Sequence, residues 1–201
     1  MTPSVKKVFT VFQKHYQEIP LIEVSKTPFQ TLVATMLSAR TRDETTAQVC
    51  KKLFEITADA EFISKLSVKE LADTIKPVNF YKNKAKNLKK LSEEIIKRFG
   101  GNVPKNLEEL TSLPGVGRKT ANIVLARAFN IPAIGVDTHV HRIANVLGWV
   151  NTKTPEQTEK ALTKILPKKH WTKINNLFVS IGQQYRTNER LKKFLQQKGL
   201  L

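Results

Sequence analysis

Two short runs hold the residues whose types and spacing could do chemistry. The first is Leu113-Pro114-Gly115-Val116-Gly117-Arg118-Lys119-Thr120-Ala121-Asn122, where a proline sets a turn, two glycines bracket a valine and a basic pair opens an apolar stretch. The second is Val136-Asp137-Thr138-His139-Val140-His141-Arg142. Lys119 falls near the start of an apolar helix, where partial desolvation and the positive helix end favour a neutral amine. Such an amine can add to a sugar C1′ and pass to a Schiff base. The same lysine could contact a phosphate from the surface, and residue chemistry alone does not separate the two uses. Asp137 is the first polar group after an apolar connector and stands where a helix N-cap belongs, which by itself explains it. Paired with the amine it gains a second use: taking the nucleophile's proton, or stabilising positive charge that develops on a sugar.

These residues have to be held by helices. Two short helices joined by Pro-Gly-Val-Gly leave backbone N–H groups unpaired at one helix N-terminus, where the helix dipole adds to them. Glycines let a phosphate come close. Gly115, Val116, Gly117 and Arg118 therefore read as an anchor for a nucleic-acid backbone that is indifferent to sequence. A plain αα-hairpin turn also favours glycine; the adjoining basic pair and the overall charge decide for the anchor. Lys+Arg 34 against Asp+Glu 17 leaves a net charge of +17 over 201 residues. That excess points to a polyanion. A thermophile-style lysine surface would carry matching glutamates, and here they do not keep up.

The chain shows no strand alternation and many helix signals, so the fold class is all-α. Helices are expected from Pro3 to about Ile19, from Phe29 to Ala39 (apolar nearly all round, hence central), and from a cap at Asp43 through Phe54. Further helices run from the capping box at Ser67 to about Ile75, from Lys82 to Phe99, from Leu107 to Thr111 and from Gly117 to Phe129. Asp137 opens a helix that stops at Gly148. Helices from Thr154-Pro155 to Leu166 and from Lys169 to Tyr185, then a polar one from Asn188 to Lys198, complete the chain. The lysines of the long helix (Lys82, Lys84, Lys86, Lys89, Lys90) read most simply as a solvated face, with a phosphate track as the alternative for some of them. Single Cys50, on an amphipathic helix, reads as a small buried hydrophobe and rules out an internal disulfide or a Cys-rich metal site. His139 and His141 point away from the face of Asp137, and no catalytic metal is expected. With no apolar run of membrane length and no signal-peptide core, a cytoplasmic, DNA-associated protein without a membrane partner is expected.

At Leu113–Asn122, at Val136-Asp137-Thr138-His139 and at Leu37-Ser38-Ala39-Arg40-Thr41-Arg42-Asp43 the chain closely resembles the endonuclease III branch of the helix-hairpin-helix DNA glycosylases. Helix order agrees from about Pro28 to Gln184. The resemblance implies two helical lobes (22–130, and 1–21 with 131–201) with an active-site cleft between them. It also implies a monomer acting on duplex DNA that contains damaged bases or abasic sites. Lys119 stands at the family's nucleophile and Asp137 at its catalytic aspartate, and members with this lysine both excise the base and cleave the backbone by β-elimination. Arg40 stands where a glutamine commonly fills the space of the flipped nucleotide, and Phe80 near a leucine that wedges the other side. Both suit the cost of unstacking, though Phe80-Tyr81 could be core packing and Arg40 a phosphate contact. The family commonly ends in four cysteines that bind a [4Fe–4S] cluster. Here Tyr185-Arg186-Thr187-Asn188 and a helix follow instead, so no cluster is expected. Arg186, Arg190, Lys192 and Lys193 are candidates for the DNA contacts of the missing loop. The implied function is a bifunctional glycosylase/AP lyase for oxidised pyrimidines. The alternatives are a thymine or uracil mismatch glycosylase and, from another class, a non-catalytic helix-hairpin-helix DNA-binding module.

Overall fold

The computed structural model describes residues 2–56 and 59–201. Among them the regular structure is helical throughout: α1 (Val5–Lys14), α2 (Pro20–Glu23), α3 (Pro28–Ser38), α4 (Asp43–Ile56), α5 (Ala60–Lys65), α6 (Val68–Thr74), α7 (Tyr81–Phe99), α8 (Leu107–Ser112), α9 (Arg118–Phe129), α10 (Thr138–Val146), α11 (Pro155–Ile165), a 3-10 turn at Lys168–His170, α12 (Trp171–Gln184) and α13 (Asn188–Gln197). The all-α expectation holds. No helix is long and apolar enough to cross a membrane among the described residues. The chain divides into two compact units, one running through Ile19 and resuming over Ile131–Leu201, the other Pro20–Asn130.

In the Pro20–Asn130 unit the central helix is α3. A capping box closes its start, with Thr27 Oγ1 accepting from Gln30 N and Gln30 returning the bond to the Thr27 amide, and Pro28 follows at the first helical position. Every residue from Phe29 to Leu37 is buried. α3 packs on α9, α4 and α7, while α7 carries α5 and α6 on its flank. Three expectations change here. Asp43 is the first residue of α4 and not its cap, since Thr46 N already donates to Arg42 O, and the helix continues to Ile56. α5, capped by Asp59, was not expected; its six residues are too few to show a period. The lysines of α7 do not form one solvated face. Lys89 Nζ donates to Ser64 O and Leu66 O at 2.8 Å each, closing the end of α5, and Lys84 is buried.

The other unit has one continuous core from α1, the connector after Ile131, and α10–α13. α1 runs only to Lys14, shorter than expected: the chain leaves the helix before Pro20, and Gln17 exchanges both its backbone bonds with Ser180 Oγ of α12 at 2.8 Å each. α13 is not a polar helix: Leu191, Phe194 and Leu195 enter the core, and Leu200 follows them. Phe194 stacks on Tyr185 at 4.3 Å between centroids and lies 6.4 Å from Phe12. Lys7 Nζ donates to Gly199 O, so a lysine again closes a helix C-terminus.

Candidate active site

The hairpin is α8, the turn Leu113–Gly117, and α9. Its two glycines have different reasons. Gly115 adopts φ 77°, and a Cβ there would lie 2.9 Å from Asn87 Nδ2 and 3.0 Å from Asn87 Cβ. Both backbone and neighbour therefore require glycine. Gly117 is the N-cap of α9 with φ −89° and ψ 170°, an extended geometry open to any residue, and a Cβ there would meet nothing within 4 Å. The fold itself makes no demand for glycine at this position. Side chains of Ser4, Thr27, Asp59, Ser67, Asn106, Asp137, Thr154 and Thr187 cap their helices, but none caps α9. The start of α9 at Gly117 and Arg118 is exposed, and an exposed helix N-terminus suits an anionic oxygen. Val116 has a different part. Its side chain is buried and its amide donates to Leu113 O at 3.1 Å, so it holds the turn shut. Arg118 is exposed beside it.

Lys119 is the second residue of α9 and half-buried. Close to it is a second lysine. Lys84, 8% exposed, donates from Nζ to Leu37 O (2.8 Å), Ala39 O (2.6 Å) and Thr41 Oγ1 (3.4 Å). Burial, and then the charge of Lys119, push its pKa down from the usual 10.5 to about 8. The sequence did carry a signal for this burial: Lys84 falls on the same stripe of α7 as Leu88, Leu91 and Ile95, at helical spacing.

Arg40 and Phe80 end up side by side. The Arg40 guanidinium carbon lies 5.7 Å from the centre of the Phe80 ring. Phe80 is 57% exposed, which excludes core packing, while Tyr81 is half-buried. Both residues of the pair sit in the left-handed region, Arg40 at φ 58° and Phe80 at φ 59°. For residues with a Cβ that conformation costs roughly 1–2 kcal/mol each. Asn79 joins the two turns, its amide N donating to Thr41 Oγ1 at 3.1 Å and its side chain to Arg40 O. Asn79 and Thr41 were not singled out in the sequence.

Asp137 belongs to the other unit. It caps α10, Oδ1 accepting from Val140 N at 2.8 Å, and is half-buried. One oxygen is committed to the cap, and a carboxylate keeps a second for other work. Three contacts set its position. Asn175 Nδ2 donates to Gly135 O at 2.9 Å, just before it. The His139 ring lies so close to Gly182 of α12 that a Cβ there would stand 2.2 Å from His139 Nδ1. Arg142 donates to Gly182 O (3.2 Å) and Tyr185 O (2.8 Å), closing the end of α12. His141 turns elsewhere, with Nδ1 2.6 Å from Thr158 Oγ1. The two histidines therefore have packing and hydrogen-bonding roles, and no group of three or more His, Cys, Asp or Glu among the described residues could hold a metal. Arg186 is exposed, its Nε donating to Gln183 O at 3.3 Å.

An all-helical chain with an uncapped glycine hairpin, a lysine in the next turn and a capping aspartate on a later helix has the outline of a base-excision enzyme, and comparison with known proteins agrees. Residues 33–168 match the HhH-GPD superfamily base excision DNA repair protein model. Endonuclease III of Thermotoga maritima is 50% identical over 157 residues, 78% of this chain and 74% of that protein. Endonuclease III of Bacillus subtilis is 41% identical over 163 residues, 81% of this chain and 74% of that protein. Among solved structures, a trapped endonuclease III–DNA covalent intermediate superposes with a TM-score of 0.82 at 36% identity, covering 90% of this chain and 84% of that one. A thermostable thymine-DNA glycosylase gives 0.78 at 25% identity, covering 91% and 86%. The chain belongs to the helix-hairpin-helix base-excision superfamily and, within it, to the endonuclease III family. It is a DNA glycosylase of base excision repair, an enzyme and not a passive DNA-binding module.

Proposed function

We propose that the chain removes oxidised pyrimidines from duplex DNA and then cleaves the strand, with Lys119 as nucleophile and Asp137 as its acid–base partner. The Lys119 amine, once it has given up a proton, adds at C1′ while the C1′–N bond breaks and its electron pair leaves with the base. Asp137 takes the proton the amine gives up and offsets positive charge on the sugar. Ring opening gives a Schiff base between Nζ and C1′. Loss of a C2′ proton then expels the 3′ phosphate by β-elimination, and water releases the enzyme. The observation that carries this reading is the place of Lys119, half-buried in the first turn of α9 directly after the glycine turn. The similar endonuclease III caught as a covalent DNA intermediate supports it.

The hairpin amides and Arg118 hold the backbone, Arg40 and Phe80 enter the duplex, and Arg186 with its basic neighbours adds phosphate contact. The protein acts as a monomer, in the cytoplasm and on DNA. It works without the [4Fe–4S] cluster of its relatives. Four thiolates are needed, and the one cysteine, Cys50, is buried in α4 with its thiol pushed up to about 12. After Gln184 the chain puts Leu191, Phe194, Leu195 and Leu200 into the apolar core and leaves Arg186, Arg190, Lys192 and Lys193 exposed. Borohydride trapping on a thymine-glycol duplex tests the assignment. Wild type should give a covalent adduct and Lys119→Gln none. The likeness to a thymine-DNA glycosylase makes uracil and thymine opposite guanine the comparison substrates; faster excision there would replace oxidised pyrimidines as the substrate class.

A further inference from the structure

Lys84 is a buried cation to which the proposed chemistry assigns no task. Its neighbours on the α7 stripe are Leu88, Leu91 and Ile95, and a methionine would fill that space without the cost of burying a charge. What only an ammonium can do there is donate three hydrogen bonds at once. Those bonds go to Leu37 O, Ala39 O and Thr41 Oγ1. These acceptors surround Arg40, where the chain leaves α3 without a glycine to close the helix and turns through φ 58°. The backbone amide of the same lysine donates to Phe80 O at 3.0 Å, fixing the other left-handed residue. One residue thus grips both turns, its side chain one and its backbone the other. Asn79 adds bonds to Thr41 Oγ1 and Arg40 O across the gap. Strained conformations persist only where surrounding bonds over-determine them, and this network meets that requirement.

We propose that Lys84 is a positioning residue that locks the turns of Arg40 and Phe80 into a single two-pronged wedge, which enters the DNA duplex as one rigid piece. The inference rests on the reading of Arg40 and Phe80 as the residues that enter the duplex. A preorganised wedge has already met its ordering cost before DNA arrives, whereas two loose turns would meet it during opening. Lys84 touches neither base nor sugar in this role.

The test uses a duplex with a tetrahydrofuran abasic analogue opposite 2-aminopurine, whose fluorescence rises when the orphan base is unstacked. Because this probe needs no excision, it is independent of lesion preference. Wild type should raise the fluorescence, and Phe80→Ala should lower that rise at least threefold. Lys84→Met should lower it by a similar factor, and the double variant by no more than the larger single effect. Asn79→Ala, on an exposed residue, should shift it in the same direction by less, which guards against a misfolded Lys84→Met. Strand cleavage is then compared on an abasic site in a paired duplex and in a single strand. Lys84→Met should slow the paired reaction at least tenfold more than the unpaired one. Equal slowing of both would show that Lys84 acts on Lys119 or on the whole fold, and would overturn the proposal. So would a wild-type rise in a folded Lys84→Met, or additive effects in the double variant. If Phe80→Ala matches wild type, the wedge reading itself fails, and the proposal with it.

Discussion

Gly117→Asp separates what the hairpin needs to fold from what it needs to bind. Position 117 already has N-cap geometry, and nothing lies within 4 Å of a new Cβ. Asp59 and Asp137 do the same job elsewhere in this chain, each accepting from the amide three residues on. An aspartate at 117 should therefore cap α9 and gain about 0.5–1 kcal/mol from the hydrogen bond and the helix dipole. In a chain of this size that raises Tm by about 1–4 °C. The same carboxylate occupies the place proposed for a phosphate. Two like charges about 5 Å apart repel by ~1 kcal/mol in water and ~3 kcal/mol near a protein surface. Duplex affinity should fall by about 5- to 150-fold, less at high salt. Thermal melting and fluorescence anisotropy on a 20-base-pair duplex at two salt concentrations read both effects. A variant that melts higher and binds DNA as wild type does would refute the hairpin as phosphate anchor. One that melts several degrees lower would refute the claim that the fold leaves position 117 free.

Phe80→Gly should relieve the left-handed strain, raising stability by about 1 kcal/mol while weakening base excision in paired duplex; a loss of stability in melting experiments would contradict the strain. Gly182→Ala should force the His139 ring away and cost about 2 kcal/mol, with His139→Ala in the same chain restoring most of the Tm. Lys84 gives a pH signature. In the folded protein it releases its proton near pH 8, while the unfolded chain holds it to the usual 10.5. The unfolded state thus binds more protons across that window. The contribution of Lys84 to stability should rise there by up to about 1.4 kcal/mol per pH unit, and be lost as pH falls through 8. Lys84→Met should remove that slope in denaturant titrations run from pH 7 to 10.5.

The sequence revealed most clearly what local rules control. The caps at Thr27, Ser67, Asn106, Asp137 and Thr154 need only a hydroxyl, amide or carboxylate before an apolar period, and each is present. The hairpin could be read because proline, glycine and a basic pair adjoin in sequence. What escaped depends on distant partners. Lys84 looked like one more solvated lysine because its acceptors lie more than forty residues earlier, at Leu37, Ala39 and Thr41. α13 looked polar because Leu191, Phe194 and Leu195 show their use only against Phe12 and Tyr185. The left-handed backbone of Arg40 and Phe80 had no marker, since neither type favours it. Helix-capping lysines also put part of the net charge to structural use, so charge alone overstates the DNA-facing surface.

The central claim is that Lys119 is the nucleophile. The most direct measurement is mass spectrometry of the borohydride-trapped complex on a thymine-glycol duplex, digested to locate the modified residue. The sugar remnant should sit on Lys119 Nζ, and Lys119→Gln should yield no adduct while keeping its duplex affinity. A remnant on Lys84 or any other amine, or an undiminished adduct in Lys119→Gln, would contradict the account.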